Sequence, residues 1–177
     1  MDKSFKHGQG YKKYKDNTYF MGKYEKDLKV EGVIKDLNNG ALIYEGGWKK
    51  DTYHNHGNLT RRNGDKYSGD FFFGDCHGKG KLEWNNGDVY EGDFYKNLRE
   101  GKGRMTLKNG DFYEGDFSQN KFHGKGRYEW KDSGDVFYGN FEKGKMCEGK
   151  MEYKIGIEGE GDFRTTYRDT GVSYSVI

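Results

Sequence analysis

Between Tyr90 and Phe94 the chain reads ring, carboxylate, glycine, carboxylate, ring: "YEGDF". Strict alternation of apolar and polar positions predicts a half-buried strand. Tyr90, Gly92 and Phe94 then share one face, and Glu91 and Asp93 share the other. The central glycine leaves room for a neighbouring ring or a close backbone. In each such unit a polar turn follows, and a second stretch such as "GKGKLEW" at 78–84 predicts the return strand of a hairpin. Asn-Gly, as at Asn86-Gly87, supplies the positive φ of a tight connection to the next unit.

The unit is copied. "NGDVYEGDF" at 86–94 returns as "NGDFYEGDF" at 109–117 with one change. Its glycine recurs at Gly22, Gly46, Gly69, Gly92, Gly115, Gly139 and Gly161, in steps of 24, 23, 23, 23, 24 and 22 residues. Two residues before each stand Phe20, Tyr44, Tyr67, Tyr90, Tyr113, Phe137 and Gly159. Two residues after stand Tyr24, Trp48, Phe71, Phe94, Phe117, Phe141 and Phe163, so Gly159 alone is not aromatic. A return phrase follows: "HGKGK" at 77–81, "EGKGR" at 100–104 and "HGKGR" at 123–127. Weaker versions are "EGVIK" at 31–35, "HGNLT" at 56–60 and "EGKME" at 148–152, and "HGQGY" at 7–11 is the tail of a half repeat.

A fixed period of this length predicts a repeat array. One hairpin is marginal in water, but stacked hairpins share a continuous aromatic face. Each buried ring contributes roughly 2–3 kcal/mol, and stability is collective. At about 4.8 Å per strand, seven repeats make a rod or ribbon about 65–70 Å long. Residues 1–163 are read as the array, a half repeat followed by about seven units, and 164–177 as a C-terminal cap strand that closes the last edge.

These phrases resemble MORN repeats (membrane occupation and recognition nexus). The family pattern is Tyr-x-Gly-x-Trp/Phe, a polar turn, His/Glu-Gly-x-Gly, then Asn-Gly. It is met almost fully at 67–87, 90–110 and 113–134. Ile34, Leu59 and Met151 stand where the second glycine of the return phrase belongs, and Gly159 stands where a ring belongs. The resemblance implies an all-β fold, an elongated single-layer antiparallel sheet of stacked β-hairpins. It also implies scaffolding or partner docking, often in cilia, flagella and cytoskeletal structures.

Composition changes the picture only slightly. Hydrophobic residues make up 32% of the 177, and 15 Tyr, 12 Phe and 3 Trp supply much of that. Disordered chains are poor in aromatics, so a thin apolar layer is expected instead. The net charge of +2 provides no broad field for nucleic acid. No apolar run is long enough for a membrane helix. The N-terminus lacks a signal-like hydrophobic region, so a cytoplasmic, reducing location is the expectation.

Candidate chemistry is weighed against the repeat. Glu91 and Asp93 sit about 7 Å apart by strand geometry, near the spacing of paired glycosidase acids, but Glu114 and Asp116 copy them. A solvated, charge-paired face is the reading. His7, His56, His77 and His123 are read as sharing one turn slot with Glu31, Glu100 and Glu148, in copies about 10 Å apart. That is too far for one metal ion, and His54 beside His56 is the one pair left to check. Cys76 and Cys147 are read as occupying similar turns about 30 Å apart, beyond disulfide reach. "GKG" and "GEG" lack the strand–loop–helix setting of a phosphate loop. No catalytic residue, cofactor or metal is expected. Lys79, Lys81, Lys102, Arg104, Lys125 and Arg127 are expected to pair with acidic strands or, on the sharper reading, to meet lipid headgroups.

The aromatic face is the candidate docking surface. Its expected partner-binding residues are Trp48, Phe71, Trp84, Tyr90, Phe94, Tyr113, Phe117 and Trp130, with Trp84 and Trp130 on return strands. The plain alternative is that the rings make only the core. The functional expectation is a non-enzymatic scaffold with protein partners in an axonemal or cytoskeletal assembly. The alternatives are a membrane adaptor for acidic phospholipids and a regulatory or targeting subunit of a separate enzyme. Strand edges are expected to pair with a partner or another copy.

Overall fold

In the computed structural model, which describes residues 6–155, 164–169 and 174–175, each alternating stretch becomes a strand. β1 (Gly8–Lys13) leads into the hairpins β2 (Thr18–Glu25)–β3 (Leu28–Asp36), β4 (Leu42–Lys49)–β5 (Thr52–Thr60) and β6 (Lys66–Phe72)–β7 (Asp75–Glu83). Then come β8 (Val89–Tyr95)–β9 (Leu98–Thr106), β10 (Phe112–Ser118)–β11 (Lys121–Glu129) and β12 (Val136–Glu142)–β13 (Lys145–Ile155). β14 (Arg164–Asp169) and β15 (Tyr174–Ser175) both pair with β13. Two units cluster, one holding β1–β7 and the other β8–β15, with Tyr95–Asn97 belonging to the first. Within each, strands lie antiparallel in chain order, and no helix forms among the described residues. The architecture is all-β, a single-layer antiparallel sheet, and its hairpins are those the alternation predicts.

A row of glycines sets the register. In the first unit Gly10 pairs with Gly22, then Gly32, Gly46, Gly57, Gly69 and Gly80 in turn. In the second the row runs Gly103, Gly115, Gly126, Gly139, Gly149. A Cβ on Gly115 would lie 2.5 Å from the Lys125 carbonyl oxygen and 2.6 Å from Gly126 Cα. The same Cβ would lie 2.5 Å from the Tyr113 hydroxyl oxygen. The ring two residues before the glycine therefore lies down along its own strand. Its hydroxyl donates to the backbone oxygen three residues on: Tyr44 to Gly47, Tyr67 to Asp70, Tyr90 to Asp93 and Tyr113 to Asp116, at 2.7–2.9 Å.

The second ring of each strand then meets the first edge-on, at 5.0–5.4 Å between centroids. Within the units, four first rings also meet the second ring of the next repeat: Phe20–Trp48, Tyr44–Phe71, Tyr90–Phe117 and Tyr113–Phe141. Edge-to-face pairs suit the ring quadrupole, and all twelve described rings of this set are buried. One layer thus builds its core from rings on one face. Gly159, Gly161 and Phe163 lie outside the described residues, as do 170–173 and 176–177 of the expected cap.

The row corrects the alignment of the return phrase. Gly32, Gly57 and Gly149 face the strand glycines, so they are the second glycine of the phrase. Ile34, Leu59 and Met151 lie two residues beyond it. The residue lacking glycine is the first one, a bulge position held by Gly78, Gly101 and Gly124 at positive φ and by Asn55 at φ 57°. Counting back from the row, His54, His77, Glu100 and His123 share one slot, while His56 falls in the slot of Lys79. Cys76 lies four residues before its row glycine and Cys147 two, so the cysteines are not equivalent. Trp84 and Trp130 follow β7 and β11 rather than lying in them.

Both connections form ladders. At the hairpin turns both central residues have positive φ, as in Lys26-Asp27, Lys50-Asp51 and Gln119-Asn120, the conformation whose twist suits two-residue hairpins. The Asn120 amide oxygen accepts from Arg99 N at 2.9 Å. At the inter-repeat turns, an aspartate accepts from the backbone one repeat on: Asp65 from Asn85, Asp88 from Lys108, Asp111 from Lys131 and Asp135 from Lys154. Each turn therefore anchors the next.

Candidate functional site

The second ring of each outgoing strand faces one residue across its hairpin. Those residues are Tyr53 opposite Trp48, Cys76 opposite Phe71, Phe122 opposite Phe117 and Met146 opposite Phe141. Opposite Tyr24 the residue is Lys29. A cation thus enters a slot that is mostly apolar or aromatic; in β9 Arg99, four residues before the row glycine Gly103, does the same, its guanidinium 5.6 Å from the Tyr90 centroid and 5.7 Å from that of Phe117. The Lys29 ammonium lies 4.5 Å from the Trp48 ring centroid, 5.3 Å from Tyr14 and 5.4 Å from Phe20. Asp51, in the turn before β5, pairs with it at 3.3 Å. Lys29 is 6% exposed, and a charge this dry is tolerable only because the carboxylate and three ring faces surround it.

Lys29 forms the floor of a groove of about 600 Å³, lined also by Tyr14, Thr18, Ile34, Trp48, Asp51 and Tyr53. Tyr53 stacks on Tyr44 at 3.8 Å and keeps its outer surface half-buried. The hydroxyls of Tyr14 and Tyr24 are buried without a protein hydrogen-bond partner. Burial also pushes the Tyr24 and Tyr53 hydroxyls up from their ordinary pKa. The groove therefore offers ring faces and one half-neutralised cation. This suits an apolar side chain with a polar or anionic group beside it.

The expected docking residues fall into two groups. Phe71, Tyr90, Phe94, Tyr113 and Phe117 are buried in the ring layer. Trp48 is buried there as well and also lines the groove. Trp84 and Trp130 are half-buried beyond their strands, and the Trp130 ring lies 4.8 Å from that of Tyr128. Sequence reasoning passed over Tyr14, Lys29 and Tyr53. The signal for Lys29 is a charge in a slot the other described repeats fill mostly with apolar groups, which is visible only once the glycine row aligns the return strands.

The other candidate chemistry resolves into structure. The Asp116 carboxylate pairs with Lys102 across the strands at 2.6 Å and accepts from Lys125 N at 3.1 Å at the bulge. Arg104 and Arg127 stack over Phe112. His54 accepts from Phe73 N at 3.3 Å, while His56 lies 3.3 Å from Asp70, so the two have separate partners. No three His, Cys, Asp or Glu converge among the described residues. Both cysteines are free thiols, and burial pushes that of Cys76 up to about 11.

Comparison with known families gives one result. The profile described as MORN repeat matches residues 44–66, 67–89, 90–112 and 113–134, four consecutive copies that span half of the chain. No curated protein matches it.

Proposed function

Because this chain belongs to the MORN-repeat family, we propose that it is a non-enzymatic scaffold that docks a protein partner through its aromatic face. The observation that carries this reading is the open groove at Tyr14, Lys29, Trp48 and Tyr53. A buried cation is a costly way to complete a core slot, and a binding role accounts for it. The array extends past the four matched copies, because β2–β3 and β12–β13 carry the same glycine pair and ring set; these six hairpins, with the half repeat at β1, support the reading of about seven units. The assembly is ciliary or cytoskeletal and the location cytoplasmic; this part of the proposal rests on the family resemblance. The edge of β1 belongs to the same reading. Among the described residues it pairs only with β2, and its other side is free to take a partner strand or a second copy.

Lys29→Met tests the groove. Removing one partner of an ion pair is costly where the other stays buried, but the Asp51 side chain is 53% exposed and returns to water, so the variant folds. Native purification of both forms from the protein's own cells, with mass spectrometry, should recover the same structural proteins in fixed ratio with wild type and lose them with Lys29→Met. Equal recovery from both would remove the groove from the mechanism. A second reading, a phospholipid adaptor, draws on exposed Lys12, Lys13 and Lys15 along and after β1. It requires salt-sensitive binding to acidic vesicles.

A further inference from the structure

The hairpin turn between β6 and β7 breaks the pattern of the others. Its central residues are Phe73 and Gly74, where the described repeats otherwise place Lys26-Asp27, Lys50-Asp51, Lys96-Asn97, Gln119-Asn120 and Lys143-Gly144. Phe73 is held at φ 47°, a conformation uncommon outside glycine, asparagine and aspartate and one that strains a bulky residue. The residue before it is Phe72, where β2, β4, β10 and β12 end in Glu25, Lys49, Ser118 and Glu142.

These rings do not belong to the core. Phe71 points into the ring layer, so Phe72 points to the opposite face. Phe72 is 53% exposed, Phe73 41% and Tyr95 51%. Ring contacts join them into one patch: Phe72–Phe73 at 4.8 Å, Phe72–His77 at 5.6 Å, His77–Tyr95 at 5.1 Å and His54–Phe73 at 4.9 Å. His77 Nδ1 is buried without a partner. The rim is cationic. Lys49 Nζ lies 5.5 Å from the Phe73 centroid and Lys96 Nζ 5.4 Å from that of Tyr95. Among the described residues neither ammonium reaches a carboxylate. Two acids of this face are already engaged, Asp70 with His56 and Asp75 with the Asn97 amide.

We propose that Phe72, Phe73, His54, His77 and Tyr95 form a second docking surface, for a partner-protein segment that carries an apolar side chain next to a carboxylate. The apolar side chain covers Phe72 and Phe73, and the carboxylate meets the unpaired ammoniums of Lys49 and Lys96. Charge complementarity selects this occupant over a basic segment. The surface lies on the face opposite the Lys29 groove, so either proposal can fail without the other.

The test is a random displayed-peptide library selected on the full-length protein and counter-selected on the double variant Phe72→Glu, Phe73→Lys. Other repeats carry these residues at the same turn positions, so the variant folds and its Tm is unchanged or higher. The selected peptides should carry an aromatic or aliphatic residue beside Asp or Glu, and should bind the variant at least tenfold more weakly. They should bind Lys29→Met as they bind wild type. No enrichment over the variant, or enrichment of basic peptides, overturns the proposal. So does a phosphatidylserine vesicle that binds wild type but not the variant, or a wild-type dimer that the double variant abolishes.

Discussion

At the residue scale, the glycine of each "Tyr-x-Gly-x-Phe" strand contributes through the absence of a side chain. The first ring lies where a Cβ would stand, and the facing glycine approaches closely enough that a methyl on either one collides. Gly115→Ala should therefore act as overpacking against backbone, which has no rotamer to yield, and cost about 3 kcal/mol. Chemical denaturation reads this as a lower midpoint with an unchanged slope. Gly144, whose added Cβ would meet nothing within 4 Å, differs in kind: its φ of 88° makes its substitution a question of turn strain, not of space.

At the element scale, neighbouring hairpins within each unit are tied by strand pairing, ring contacts and the turn ladders. Asp111 illustrates the last. Its carboxylate accepts from Lys131 N at 2.8 Å, from the Asn109 side chain at 2.9 Å and from the Tyr128 hydroxyl at 3.3 Å. Hydrogen bonds to a charged group exceed neutral ones in strength, so Asp111→Ala should cost about 2 kcal/mol. Asp132, exposed in the following turn, serves as control, and Asp132→Ala should stay within about 0.5 kcal/mol. Equal effects in thermal melts would show that the ladder contributes nothing beyond surface charge. The Asn-Gly turns were legible from sequence because asparagine and glycine tolerate positive φ. The Lys-Asp and Gln-Asn hairpin turns were not, since neither pair declares a two-residue turn by composition alone.

At the scale of the whole molecule, the tyrosines couple the fold to pH. Burial raises the hydroxyl pKa of Tyr44, Tyr67, Tyr90, Tyr113 and Tyr128 well above the ordinary value. An unfolded chain releases these protons near pH 10, while the folded chain still holds them. The unfolded state then binds fewer protons, so stability is intact below about pH 10 and falls as pH rises above it. Alkaline titration should show phenolate absorbance for these five appearing together with loss of the strand circular-dichroism signal. Phenolate forming smoothly in a folded protein would contradict the buried, hydrogen-bonded ring layer.

By itself the sequence determined the period, the strand alternation, the rings that the outgoing strands place in the layer and the solvated character of the Glu-x-Asp pairs. All of these follow from local spacing, and a spacing repeated along the chain is its own confirmation. It did not determine which glycine of a degraded return phrase belongs to the central row, because "HG" and "EG" look alike at either offset. Only the pairing chose, since a residue with a Cβ cannot enter the row. The Lys29 groove and the Phe72–Phe73 patch follow from that choice. Tyr14, Lys29 and Asp51 come from three separate segments, and shifting any strand by one residue would turn its side chain to the other face. Their meeting is a property of register, which only the assembled sheet decides.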